Sequence, residues 1–138
     1  MFYFFHFNYA FFTEISEEYN QAILKRESEM NTVINGYSFE LLKSLPDLLT
    51  SAILMNDSVF NYREDIAEER ALILKIEGNG EYAHYGIQIK DGKYRFWEVR
   101  QHANSHASNE IIIAVIQHMK GREIQFNDFD LSADLKIL

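Results

Sequence analysis

Two dipeptides, Asn79-Gly80 and Asp91-Gly92, lie inside the stretch Arg70–His102 and restrict it more than any other feature of the chain. Asn-Gly and Asp-Gly are favoured in two-residue hairpin loops, because both central positions need a positive φ that Gly, Asn and Asp tolerate best. A loop at Asn79-Gly80 sets Ile76 opposite Ala83, Leu74 opposite Tyr85 and Leu72 opposite Ile87. A loop at Asp91-Gly92 sets Ile89 opposite Tyr94 and Ile87 opposite Phe96. Side chains on a strand alternate between faces, so the two loops could have imposed conflicting registers. They agree: Leu72, Leu74, Ile76, Ile87, Ile89, Tyr94 and Phe96 all fall on one side. A three-stranded antiparallel meander with one apolar face is therefore expected over about residues 70–102.

The opposite face would carry Ile73, Lys75, His84, Gly86, Gln88, Arg95, Trp97 and Val99, with Ile73, Gly86 and Trp97 in one row. A large ring across from a strand glycine can lie over the bare backbone, which gives Trp97 a structural use as cover for Gly86. Its functional use is as the anchor of a binding patch with His84 and Arg95, since Trp and Arg are enriched at interface hot spots.

Upstream, Ile15, Tyr19, Ala22, Ile23, Met30, Val33 and Ile34 recur at three- and four-residue steps, which predicts an amphipathic helix over about Glu14–Ile34. Glu14, Glu17 and Glu18 would sit at its positive end, and Asn35-Gly36 would supply a left-handed stop. Ser38 is a candidate cap for a short helix reaching Leu42. Ser44-Leu45-Pro46-Asp47 looks like a second start, followed by Leu45, Leu48, Leu49, Ala52 and Ile53 on one core-facing side. Asn61-Tyr62-Arg63-Glu64 resembles a capping box before Ile66–Arg70, although Val59–Tyr62 could equally extend a loop.

Beyond the meander, Ile111–Ile116 has the β-branched density of a strand, but its surroundings favour a helix packed on the meander's apolar face. Ser108 supplies a cap, Glu110 falls in the first turn, Lys120 in the last, and Gly121 stands past the end. The expected fold class is α+β: a helical N-terminal half, the meander and a C-terminal helix on the sheet, with further strands offered at 2–7 and 123–127. Residues 1–138 are expected to form a single globular domain.

The opening Met1–Phe12 holds eight aromatic residues. A membrane span needs about 20 apolar residues and a signal peptide needs a cationic start, whereas Asn8 and Glu14 intervene here and the first base is Lys25. An aromatic strand at Phe2–Phe7, or the first turn of a helix, is the expectation, with no membrane association. The chain has no cysteine, which excludes disulfides and thiolate metal sites and fits a cytoplasmic location.

The net charge of −8 is unevenly spread. Residues 1–69 carry 12 acids and 4 bases, residues 70–122 carry 5 acids and 8 bases, and residues 123–138 carry 4 acids and 1 base. No dense Lys/Arg stripe exists to neutralise several phosphates, so direct nucleic-acid binding is not expected. An acidic half draws a cationic partner instead.

The phosphate loop, the dinucleotide glycine fingerprint, the Gly-x-Ser-x-Gly elbow and the kinase motifs are all missing. His102 and His106 would share a helix face and hold zinc with Glu110 if that polar segment were helical, but its Asn and Ser content marks a loop, so neither metal nor cofactor is expected. Asp128, Asp130 and Asp134 lack the glycine and closing glutamate of a calcium loop. His118 and His84 read as surface or half-buried residues. An enzyme would have to use a pair such as His84 or His102 with Glu98.

What the chain offers without a motif is an acidic surface. The expected function is a cytosolic protein-binding module that neutralises a basic protein partner, such as a nuclease toxin or another nucleic-acid-acting enzyme, in the manner of immunity proteins and inhibitors. Glu64, Asp65, Glu68 and Glu69, together with His84, Arg95 and Trp97, are its candidate contact residues. A small enzyme or ligand-binding domain is one alternative, and a homo-oligomeric module joined through Phe2–Phe12 and the Trp97 face is another.

Overall fold

The computed structural model describes residues 9–126, with side chains from Ile15 onward. The fold is α+β. Six antiparallel strands, β1 (Thr32–Ile34), β2 (Tyr37–Leu41), β3 (Ala71–Gly78), β4 (Glu81–Lys90), β5 (Lys93–Gln101) and β6 (Ser105–His106), lie side by side in chain order. The helices are α1 (Tyr9–Leu24), α2 (Glu27–Met30), α3 (Leu45–Met55), α4 (Arg63–Ala67) and α5 (Asn109–Gly121). The connection from β2 to β3 carries α3, a 3-10 turn at Val59–Tyr62, and α4.

At the centre, β3, β4 and β5 pair as the two turns require: Ile76 with Ala83, Leu74 with Tyr85, Leu72 with Ile87, Ile87 with Phe96 and Ile89 with Tyr94. The register then slips by one. Gly86 faces Glu98 rather than Trp97, which makes Trp97 the extra residue of a β-bulge. The slip corrects the expected position of Val99, which pairs with Tyr85 and is buried on the apolar face.

The helical N-terminal half needs a larger correction, because a β-hairpin stands inside it. The first helix begins at Tyr9 and ends at Leu24, so Glu14, Glu17 and Glu18 lie in its interior turns instead of its first. Thr32–Ile34 and Tyr37–Leu41 are strands, and Asn35-Gly36 is the two-residue loop between them, with φ of 54° and 82°. The reason is the same turn chemistry that built the meander, reinforced by the β-branched run Thr32-Val33-Ile34. Ser38 therefore caps no helix; it lies on β2 and donates to Glu40 at 2.9 Å. Alternation buries Tyr37, Phe39 and Leu41. This hairpin approaches the next one so closely that a Cβ on Gly78 would stand 2.3 Å from the Gly36 carbonyl oxygen.

α3 starts as its sequence indicates, with the Ser44 hydroxyl accepting from the Asp47 amide and Pro46 in the first turn. Its inner face is Leu45, Leu48, Ser51, Ala52 and Met55, while Leu49 and Ile53 point to solvent. The capping box at Asn61 is not formed: Val59–Tyr62 is a 3-10 turn, and α4 follows from Arg63 without a side-chain cap. α5 forms as expected, its Ser108 hydroxyl accepting from the Ile111 amide.

The apolar face of the sheet is covered by α2 and α5. His118 of α5 is fully buried there, which corrects its expected exposure. Its ring stacks on Phe39 at 4.8 Å, Nε2 donates to the Met30 carbonyl at 2.8 Å, and Nδ1 accepts from the Tyr85 hydroxyl at 3.2 Å. Burial and the nearby Arg122 charge hold its pKa down at about 4. Near the C-terminal end of the described residues, Gln125 makes a single parallel bridge to Arg95, the only trace of strand at 123–126. The expected strand at 2–7 and the acids Asp128, Asp130 and Asp134 lie outside the described residues.

Candidate functional site

The candidate acids lie on α4 and the turn after it. Glu69, at φ 61°, ends that turn and accepts from both Lys25 at 2.9 Å and Arg26 at 2.7 Å. These two bases hold its carboxyl below the usual carboxylate range. Asp65 and Glu68 both bind Arg70, Asp65 at 2.9 Å. Three of the four acids are thus matched by bases of the same chain, while Glu64 is exposed and its carboxylate has no partner among the described ion pairs and hydrogen bonds. Sequence separation hid the compensation, since Lys25 and Arg26 reach Glu69 across more than 40 residues.

Arg95, His84 and Trp97 do not form one open patch. Arg95 is exposed on β5. Trp97 is half-buried, closing over Gly86 and meeting the Tyr62 ring edge-on at 4.4 Å. His84 is buried beneath α3, because the helix crosses the polar face of the sheet that the sequence leaves apparently bare.

What the helix brings to His84 is a hydrogen-bonded run of three side chains from three elements. Ser51 comes from the middle of α3, Asp57 from the turn that ends it, and His84 from β4. The left-handed Asn56 (φ 50°, ψ 54°) terminates α3, and the Asp57 amide returns to the Ala52 carbonyl at 3.1 Å, turning the carboxylate back toward the sheet. One Asp57 oxygen accepts from the Val59 amide at 3.2 Å and the other meets His84 Nδ1 at 2.6 Å. His84 Nε2 lies 2.5 Å from Ser51 Oγ. The Ser51 oxygen is also 2.9 Å from the Tyr82 hydroxyl. Side-chain exposure is 4% for His84 and 2% for Asp57, so water competes little for these bonds.

Asp57 can only accept, so Nδ1 of His84 donates to the carboxylate; in the neutral ring Nε2 is then the acceptor that faces the Ser51 hydroxyl, and Tyr82 is the donor that Ser51 can accept from. Behind the ring, Asp57, Gly86, Trp97 and Arg100 bound a cavity of about 10 Å³, room for no more than one water molecule. In front, Ser51 and Tyr82 line a cleft of about 290 Å³ between α3 and the sheet. Its walls also hold Leu42, Leu54, Lys43 and Lys75, with Glu40 and Asp47. On its solvent side α3 exposes three aliphatic residues: Leu49, Ile53 and Leu54 are 37%, 71% and 61% exposed, and Leu54 also lines the cleft.

The sequence expectations missed both Ser51 and Asp57 as partners of His84. A signal existed: Ser51 interrupts the otherwise apolar inner face of α3, and a polar residue in such a stripe needs a buried partner. His102 lies in a 3-10 turn and His106 on β6, both exposed, so their spacing does not bring them to one helix face. Among the described residues no group of three or more His, Asp or Glu side chains is placed to hold a metal ion, and no helix is long and apolar enough to cross a membrane. Comparison with known protein families, with curated proteins and with solved structures finds no significant match.

Proposed function

We propose that the chain is an acidic protein-binding module that docks on a basic protein and blocks it, in the manner of an inhibitor or immunity protein. The observation that carries this reading is the three exposed aliphatic residues Leu49, Ile53 and Leu54 on α3, set beside a cleft on a molecule of net charge −8. Exposed aliphatic side chains grouped on one helix face are the usual core of a docking surface, and a surrounding negative field selects cationic partners and speeds their approach. Glu64 and the exposed Glu68 contribute to that field from α4 and its following turn. Glu69 and Asp65 serve the fold first, and Trp97 supports the sheet.

The test is capture from the native cytosol with three baits: the wild-type chain, I53S/L54S and E64K. A basic protein retained by the wild type, lost with I53S/L54S and bound more slowly by E64K at low salt is the expected result. If that protein is nucleic-acid-acting, its activity falls on addition of the wild-type chain and not of I53S/L54S. Capture that is indifferent to both variants removes the reading.

A further inference from the structure

The run Ser51–His84–Asp57 has more parts than a tie between helix and sheet requires. One hydrogen bond from Ser51 to His84 would hold α3 in place. Instead a buried carboxylate fixes the far nitrogen of the imidazole, and Ser51, itself only 4% exposed, is one of the residues that line the cleft. Burying a carboxylate is costly unless its bonds are good, and here both of its oxygens are bonded, one to an amide and one to the ring.

We infer that Ser51 is a nucleophile, with His84 as its base and Asp57 as the residue that positions that base, and that the cleft binds an uncharged carboxylic ester. The roles follow from the atoms. The Ser51 hydroxyl gives its proton to His84 Nε2 as Oγ forms a bond to the ester carbonyl carbon, and the carbonyl π electrons move onto oxygen. Collapse breaks the bond to the leaving alkoxide, which takes the proton from Nε2 and departs as an alcohol. A water molecule then attacks the acyl-Ser51 carbonyl, passes a proton to Nε2, and Ser51 leaves with that proton restored. The products are a carboxylic acid and the free enzyme, and no outside oxidant or reductant is needed.

The environment narrows the substrate. Ser51 is the seventh residue of an 11-residue helix, so the amides around it are committed to helical bonds and cannot serve as an oxyanion hole. The Tyr82 hydroxyl, 2.9 Å from Ser51 Oγ, is the donor at hand for the developing oxyanion. Lys43 and Lys75 are balanced by Glu40 and Asp47 in the cleft walls, which gives phosphoesters no net attraction, and Leu42 and Leu54 suit a short aliphatic acyl chain.

The experiment treats the full chain at pH 8 with p-nitrophenyl acetate and, separately, with an alkyl fluorophosphonate, and locates adducts by intact mass and peptide mapping. The expected result is one adduct on Ser51, none in Ser51→Ala, labelling slowed at least about 100-fold in His84→Gln, and slower acylation by the ester in Tyr82→Phe. Absence of an adduct on Ser51 in the wild type, or an unchanged rate in a folded H84Q variant, overturns the assignment. Should H84Q fail to fold, S51C decides: alkylation by iodoacetamide is expected to be fast and already level near neutral pH, as for a thiolate paired with imidazole. A rate that rises only above about pH 8, as for an ordinary thiol, overturns it.

Discussion

Trp97 fills the space that a side chain on Gly86 would need: a Cβ there would stand 2.8 Å from Cε3 of the indole. The bulge at Trp97 and the missing side chain at Gly86 are two halves of one device, since the extra residue turns the ring over the strand and the glycine receives it. Gly86→Ala is expected to cost about 1–3 kcal/mol, the usual range for overpacking. Urea unfolding of G86A, W97A and the double variant checks this. The double variant should lose less than the sum of the single losses, because removing the indole makes room for the methyl group.

The register of the central meander was legible because turn dipeptides and alternation are local signals, and Leu72–Ile87 and Ile89–Tyr94 pair as they dictate. The Asn35-Gly36 hairpin carried the same signal but was masked by Val33 and Ile34, whose spacing from Met30 also fits a helix. The slip at Trp97 lies beyond local rules, and the indole it places meets Tyr62 from a separate part of the chain, a contact that no turn dipeptide announces. The candidate site was the least legible part. Ser51, Asp57 and His84 stand 27 and 33 residues apart as measured from His84, and only the crossing of α3 over the sheet joins them.

His118 makes stability depend on acid. Its pKa in the folded chain is about 4, below the ordinary 6.5, so in that interval the unfolded chain binds more protons than the native one. The contribution is complete above pH 6.5 and is lost as pH falls toward about 4, on the order of 3 kcal/mol in all. Urea midpoints of the wild type and of His118→Gln across pH 7.5–4 should differ most at neutral pH and converge on acidification. Parallel curves would mean that the imidazole is not the group titrating.

Glu69 holds a left-handed backbone conformation at φ 61° while receiving Lys25 and Arg26. A non-glycine residue there costs about 1–2 kcal/mol, and the half-exposed ion pairs return up to about 1 kcal/mol. Glu69→Ala keeps the backbone cost and loses the pairs, so its melting temperature should fall. Glu69→Gly loses the pairs but relieves the backbone and should melt close to the wild type. The carboxyl is held below its ordinary pKa, so the ion-pair contribution is present above the unfolded-state value and fades as pH drops through the folded one. High salt should shrink the gap between wild type and E69A.

Charge reversal separates the acids that steer a partner from those that hold the fold. Glu64 is exposed in the first turn of α4, where its carboxylate acts on the fold only through the weak, salt-screened helix dipole, while Glu69 is engaged by two bases. E64K should therefore leave the thermal midpoint within about 0.5 kcal/mol of wild type in stability and slow association with the basic partner several-fold at low salt. E69K should lower the midpoint outright, because it sets a third cation beside Lys25 and Arg26. Steering acts on encounter, so the E64K deficit belongs in the association rate, and it should vanish as the ionic strength rises and the Debye length falls to about 3 Å near 1 M salt. Stopped-flow association at several salt concentrations reads this directly. A deficit that appears in dissociation and persists at high salt would place Glu64 in direct contact with the partner and remove long-range steering as its role.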